Sequence, residues 1–302
     1  MTALDQTPRT LFDPEFLGAL EHLRMLARRV PAGGRAGEQR SRARGGGVEF
    51  TDVRAYVPGD DFRKIDWHLL QRLDKLFLRL YLQDEDLPVY FLLDQSRSMA
   101  RESKPGRSRS RTARQAVAAL AYVGLNHMDR VYAFPFADSE MQPLPGLAGK
   151  AAFHRMLAFL AALPASGGTG LVEALARFAQ RRLRRGLCVV VSDFFDPRGL
   201  EPVLPVLQQI RHQLLFLRPV QPGEDRPDLR GELQLVDCES GETLPVGVDD
   251  GLLDRHQQAY RQFEATLDAT ATRLGAGIAR LRTDLPTVPQ LTSLFPHGVL
   301  HA

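Results

Sequence analysis

Three short polar segments of this 302-residue chain carry side chains whose types and spacing could act together on a ligand. Asp94-Gln95-Ser96-Arg97-Ser98 directly follows the apolar run FLL, Gly167-Gly168-Thr169-Gly170 precedes a stretch with helical spacing, and Ser192-Asp193 directly follows CVVV. Asp94, Ser96 and Ser98 occupy alternate positions, so a chain turning tightly out of a strand aims one carboxylate and two hydroxyls at a common centre. With Thr169 and Asp193 the set offers only oxygen, without histidine or cysteine. Such donors select a hard cation, Mg²⁺, with Mn²⁺ or Ca²⁺ as substitutes. Two carboxylates roughly neutralise a divalent ion, and the hydroxyls donate lone pairs without adding charge. Where the carboxylates act partly through water, the ion stays electrophilic and seeks an anion from outside. Singly, each residue has a plainer role: Asp94 and Asp193 as turn starters or helix caps, Thr169 as an N-cap, the serines as loop residues. Their order on successive strand ends argues for the joint role. At such a strand end Asp94 is expected to be a surface carboxylate, replaceable without loss of core packing.

The elements that must position these segments follow from periodicity. From Pro88 onward short apolar runs alternate with amphipathic stretches: strands over Val89–Leu93, Val131–Phe136, Leu187–Val191 and Leu214–Leu217, an edge strand over Glu140–Leu144, and helices over Ala113–Leu125, Phe153–Leu163, Leu171–Leu183 and Val203–Ile210. The fold class is therefore α/β, a doubly wound, mostly parallel sheet, which binds ligands outside the carboxyl ends of its strands. The tail adds a hairpin, Glu232–Val236 with Glu242–Val246 around Glu239-Ser240-Gly241. A long helix follows, whose Leu253, Tyr260, Leu267 and Leu274 form a stripe against the sheet, then a last strand over Gly277–Leu281 and a short helix over Pro289–Leu294. Upstream, Phe16–Val30 reads as an amphipathic helix leading into a basic glycine-rich arm, and Val48–Val57 and Lys75–Leu82 read as strands. Between those strands lies PGDDFRKIDW, where Asp60, Asp61, Arg63 and Asp66 crowd around Trp67. This is a self-satisfied ion-pair knot or a partner-binding loop, in the latter case together with Arg97. The expected organisation is an N-terminal extension, 1–87, packing on a main domain, 88–302, that contains the inserted hairpin.

With those residues in place, the arrangement resembles the metal-ion-dependent adhesion site of von Willebrand factor type A domains. That motif reads Asp-x-Ser-x-Ser, then Thr, then Asp, matched here by Asp94, Ser96 and Ser98, by Thr169 and by Asp193. The resemblance implies a cation whose last coordination position is filled by a Glu or Asp of a partner. The upstream residues sharpen it: Gly47-Val48-Glu49-Phe50, Arg54-Ala55-Tyr56 and PGDDFRKIDW resemble the bacterial domain of unknown function 58 family. Members of that family resemble type A domains with an N-terminal extension and tend to occur beside MoxR-type AAA+ ATPases. After the tryptophan this chain has His68-Leu69-Leu70-Gln71-Arg72, where the family usually has a small residue and then arginine. The resemblance implies a Mg²⁺-dependent adaptor that captures a partner carboxylate, working with a MoxR-type AAA+ ATPase in chaperone-like remodelling or maturation of a client complex.

Composition narrows the alternatives. Hydrophobic residues make up 44% and charged residues 25%, enough apolar surface for a globular core, and a formal net charge of +3 does not make nucleic acid the default partner. Nearly all the positive charge is arginine, since lysine occurs only at Lys64, Lys75, Lys104 and Lys150. Cys188 and Cys238 form no metal-spaced pair, and the histidines are scattered without pair spacing. The absence of a leader-like or spanning apolar run predicts a soluble, cytoplasmic protein. Two rival functions are weaker. A Mg²⁺-dependent phosphohydrolase of the haloacid dehalogenase type needs a second carboxylate two residues after its aspartate, where this chain has Ser96. Nucleic-acid binding would use the arginine-rich segments, including Arg101–Arg114, but no aromatic residue is interleaved there for base stacking. The Gly-x-Ser-x-Gly elbow and the phosphate-cradling glycine loops are absent, so the chain is not expected to be an enzyme.

Overall fold

All seven residues of Pro88–Asp94 are buried, the outcome for an uninterrupted apolar run that becomes a parallel strand with neighbours on both edges and helices on both faces. The computed structural model describes residues 11–27, 49–57, 60, 65–73, 75–82, 87–138, 141–165 and 167–294. The chain divides into two compact units, 33–86 and 1–32 together with 87–302. The first helix, α1 (Pro14–Ala27), falls in the larger unit. The smaller unit contains β1 (Glu49–Ala55), α2 (Trp67–Leu73) and β2 (Phe77–Leu82), with β1 and β2 paired antiparallel from Glu49 opposite Leu82 to Ala55 opposite Phe77.

The larger unit continues with β3 (Pro88–Asp94), α3 (Arg97–Ala100), the small ribbon β4 (Glu102–Lys104) and β5 (Arg107–Ser108), α4 (Arg109–Asn126), β6 (Arg130–Phe136), β7 (Leu144–Ala148), α5 (Phe153–Ala162), α6 (Leu171–Ala179), β8 (Leu187–Val191), α7 (Val203–Leu207) and β9 (Gln213–Val220). The hairpin β10 (Gly231–Val236) and β11 (Thr243–Val248) leads into α8 (Asp250–Leu274), β12 (Gly277–Arg282) and α9 (Thr287–Leu291). The main sheet runs β12-β9-β8-β3-β6-β7, parallel throughout except for the edge strand β7. This is the doubly wound, mostly parallel α/β layout expected from the sequence.

Because strand side chains alternate between faces, β3 feeds two cores. Val89, Phe91 and Leu93 join Leu11, Phe16, Leu20, the alanine-rich α4 and α9 on one face, while Tyr90 and Leu92 join α6, α7 and Leu267 and Ala271 of α8 on the other. Helix α4 begins at Arg109, earlier than its apolar spacing suggests, because the Ser108 hydroxyl accepts the Arg111 N–H at 3.1 Å and starts the first turn. Helix α8 is capped at its start by Asp249, which accepts from Leu252 N, and stopped by Gly275 at φ +61°. The edge strand lies later than expected, at Leu144–Ala148, because Leu144 and Leu147 supply its buried positions. Gly146 leaves room there for Tyr132, whose ring a Cβ would meet at 2.7 Å. Among the described residues no helix is long and apolar enough to cross a membrane.

Candidate functional site

β3 and β8 are parallel neighbours with Leu93 level with Val191, so their exits bring Asp94 and Ser192-Asp193 side by side. The turn after β3 is tied by the Ser96 N–H, which donates to Asp94 Oδ1 at 2.9 Å, and the Ser96 and Ser98 hydroxyls lie 3.0 Å apart. Asp94 Oδ2 accepts the Ser192 hydroxyl at 2.7 Å. The expectation of a surface carboxylate is corrected here: Asp94 is 0% exposed, covered because the Ser192 turn closes over it. Asp193 is equally buried; its Oδ1 accepts from Phe195 N at 3.1 Å, and its Oδ2 makes no hydrogen bond.

The third segment is held by backbone. Arg97 N donates to Gly167 O at 3.1 Å, Asp138 N donates to Gly168 O at 2.8 Å, and Gly168 N donates back to Asp138 Oδ2 at 2.9 Å. The two glycines that flank this segment are sterically required. Gly167 has φ +65° and a Cβ there would fall 1.8 Å from Asp138 Oδ1, while a Cβ at Gly170 would meet the Ala137 carbonyl at 2.6 Å. Thr169 is thereby carried at the entrance to α6, on the loop bonded to Arg97 between the two serines.

Burial, and then the charge of Asp193, push the Asp94 carboxyl up to about 7 against the pull of the Ser192 hydroxyl and the Ser96 donors. Burial also raises Asp193, with Arg109 acting in the opposite direction. Arg109 does not fill the site. Its Nε and Nη2 both bond Glu224 Oε1, at 2.9 and 2.6 Å, its Nη1 donates to Ser98 O at 3.3 Å, and Nη1 stands 3.9 Å from Asp193 Oδ2, beyond hydrogen-bond reach. Behind Asp193 lies Arg218, fully buried, which donates from Nε to the Asp193 carbonyl at 3.1 Å.

Among the described residues no group of three or more His, Cys, Asp or Glu side chains is placed to hold a metal; the set here is two carboxylates and three hydroxyls. It fits a hard divalent cation on one observation in particular, the buried Asp193 Oδ2 without a donor beside a second buried carboxylate. Such an oxygen costs on the order of 1–3 kcal/mol unless something satisfies it, and a cation does so for both carboxylates at once.

Of the other predicted positions, Asp60 and Asp66 have structural employment. Asp60 Oδ2 accepts from Val57 N at 3.0 Å, and the buried Asp66 caps α2 by accepting from His68 N and Leu69 N at 3.0 and 3.2 Å. Trp67 is 57% exposed and Arg97 is exposed; Asp61 and Arg63 lie outside the described residues, as does the arginine-rich arm before β1. The basic stretch Arg101–Arg114 is not one loop: Arg109 is bound to Glu224, Arg111 pairs with Asp13 at 3.3 Å, and Arg114 is buried on Gln95 Oε1 at 2.6 Å. Sequence reasoning missed Arg218 and Glu239. The signal for Arg218 was a charge inside the apolar strand LLFLRPV, whereas Glu239 reads only as part of a turn.

Residues 52–266, more than two thirds of the chain, match the family described as protein of unknown function DUF58. An uncharacterised protein of Mycobacterium tuberculosis (strain H37Rv) is 29% identical over 277 residues, covering 90% of this chain and 86% of its own. Among solved structures, the conserved hypothetical protein BatB from Bacteroides thetaiotaomicron aligns at 18% identity and TM-score 0.41, over 70% of this chain and 98% of its own. The SpRpn10 VWA domain aligns at 12% identity and TM-score 0.40, over 72% and 98%.

Proposed function

We propose, from the premise that this chain belongs to the DUF58 family, that it is a protein-binding adaptor in which Asp94, Ser96, Ser98, Thr169 and Asp193 hold Mg²⁺, or Mn²⁺ or Ca²⁺ in its place. When bound, the cation supplies an electrophilic position for a carboxylate of a partner protein. The observation that carries this reading is Asp193 Oδ2, buried without a hydrogen bond beside Asp94. The chain's own groups do the rest. Ser192 and the Ser96 N–H orient the Asp94 carboxylate, Gly167 and Gly170 let the Thr169 loop approach, and Arg218 fixes the carbonyl of Asp193. The reading uses no nucleophile and no general acid, and Ser96 stands where a phosphohydrolase would need its second carboxylate. By family resemblance the partner is a MoxR-type AAA+ ATPase or its client, and the task is remodelling or maturation of that client.

Calorimetric titration of the purified protein with Mg²⁺ and Mn²⁺ tests the site, with Asp94→Asn as the comparison because it preserves shape and removes the charge. The expected result is binding by the wild type and at least about tenfold weaker binding by the variant, since a hard cation depends on ionised oxygen. Undiminished binding by Asp94→Asn, or none by the wild type, rejects the assignment. A pull-down from cell extract in Mg²⁺ should recover an AAA+ ATPase that chelator or Asp94→Asn abolishes.

A further inference from the structure

The tip of the β10–β11 hairpin lies against the candidate site. Asp237 builds the turn: its Oδ1 accepts from Glu239 N at 2.8 Å, its Oδ2 accepts the Ser240 hydroxyl at 3.0 Å, and its own N–H donates to Glu242 O at 2.8 Å, with Gly241 at φ +77°. Most of the ribbon is exposed, including Leu235, Val236 and Leu244, yet Glu239 at its tip is half-buried. The Glu239 carboxylate takes both donors of Thr169: Oε2 accepts the backbone N–H at 3.0 Å and Oε1 accepts the hydroxyl at 3.0 Å. Arg97, between Ser96 and Ser98, reaches the Glu239 carbonyl from Nη1 at 3.4 Å. An acid of this chain, 70 residues along from Thr169, thus engages one candidate ligand residue and is steadied by the loop that carries two others.

We propose that Glu239 is the site's own anionic ligand, presented by a pre-formed turn, and that a partner carboxylate gains the site by displacing it. This rests on the adaptor reading above. The Glu239 carboxylate stands against the candidate ligand residue Thr169, and a cation held there attracts it, so cation binding and hairpin docking reinforce each other. The same docking competes with any outside acid: a tip seated about nine-tenths of the time weakens the apparent affinity of a competing carboxylate about tenfold. The mostly exposed strands let the ribbon swing away without disturbing either core.

Wild type, Glu239→Gln and Glu242→Gln are compared, the last altering an exposed carboxylate on the same hairpin. Each is titrated with Mn²⁺ by calorimetry and, in saturating Mn²⁺, with a fluorescently labelled polyglutamate peptide by anisotropy. The expected result for Glu239→Gln is Mn²⁺ affinity about tenfold weaker and peptide affinity about tenfold tighter, with Glu242→Gln unchanged in both. Mn²⁺ binding by the wild type with peptide affinity unchanged in Glu239→Gln overturns the self-ligand alone. No Mn²⁺ binding by the wild type overturns the adaptor reading and this inference with it.

Discussion

Replacing Arg218 by methionine removes a guanidinium that touches neither solvent nor any proposed ligand atom of the cation, yet the site depends on it. Arg218 is 0% exposed; Nη1 donates to Glu264 Oε1 at 2.5 Å and to the Tyr260 hydroxyl at 3.1 Å, Nη2 to Glu224 Oε2 at 3.1 Å, and Nε to the Asp193 carbonyl at 3.1 Å. Its guanidinium lies 5.1, 5.5 and 5.2 Å from the ring centroids of Phe195, Tyr260 and Phe263. Removing one partner of a buried ion pair costs about 3–5 kcal/mol, because the other charge is left buried. The lower end applies, since Glu224 keeps Arg109 at 2.6 Å and Glu264 keeps Arg280 at 2.5 Å. Methionine also keeps apolar volume against the three rings. A loss of about 3 kcal/mol, at about 2 °C per kcal/mol for a chain of this length, lowers Tm by about 6 °C. Thermal melts and urea unfolding in chelator measure this, and Mn²⁺ calorimetry should show weaker binding although no ligand residue has changed. A Tm within about 1 °C of wild type and an unmoved urea midpoint would refute the reasoning. Desolvation would then cancel pairing, as in buried ion triads that apolar residues replace without loss.

Further outcomes follow from other parts of the structure. If Mg²⁺ binds with a Kd of about 1 mM, then 10 mM Mg²⁺ stabilises the wild type by about 1.4 kcal/mol, or about 3 °C in Tm, and Asp94→Asn, at about tenfold weaker binding, by no more than about 0.4 kcal/mol, or about 1 °C; equal shifts in both proteins would place the ion elsewhere. Gly167→Ala sets a Cβ 1.8 Å from Asp138 Oδ1 at a backbone φ of +65°, so it should cost about 1–2 kcal/mol and displace the Thr169 loop, read as a lower urea midpoint and weaker Mn²⁺ binding. His212 accepts the Gly186 N–H on Nδ1 at 3.2 Å and packs on Tyr90 and Phe178; burial, then the charge of Arg185, hold it below its ordinary 6.5. The folded state therefore binds fewer protons there than the unfolded chain, so its stability contribution is full above pH 6.5 and is lost as the pH falls through the lowered value. His212→Gln should flatten the decline in urea midpoint between about pH 7 and 5, and identical slopes in the two proteins would contradict it.

Asp94, Ser96, Ser98 and Asp193 were legible as candidates because strand ends in a parallel sheet are punctuated: an apolar run stops, a polar residue follows, and the doubly wound layout brings successive ends to one edge. Thr169 follows α5 rather than a strand and was legible only from its glycine-rich setting before a helix. The main-sheet strands and the helices that cover them were legible for the same reason, whereas α2, α3 and the β4–β5 ribbon were not, and boundaries failed where a cap or a close approach decides them, as at Ser108 for α4 and at Gly146 for the edge strand. What the sequence concealed depends on pairs distant in the chain. The burial of Asp94 requires the Ser192 turn to close over it, 98 residues away, and no local pattern around DQSRS distinguishes a covered aspartate from an exposed one. Glu239 is the sharper case, because its turn chemistry with Asp237, Ser240 and Gly241 is complete in itself and leaves nothing unexplained. Only the register of β10 against β11 and the path back over the sheet edge carry that acid to Thr169. Arg218 differs from both. An arginine within a run whose residues 214–219 are all buried is a local contradiction that only paired acids can resolve, and Glu224 and Glu264 are within reach downstream. A charge inside an apolar strand is therefore a usable signal for the support behind a site, while a self-sufficient turn conceals what it will touch.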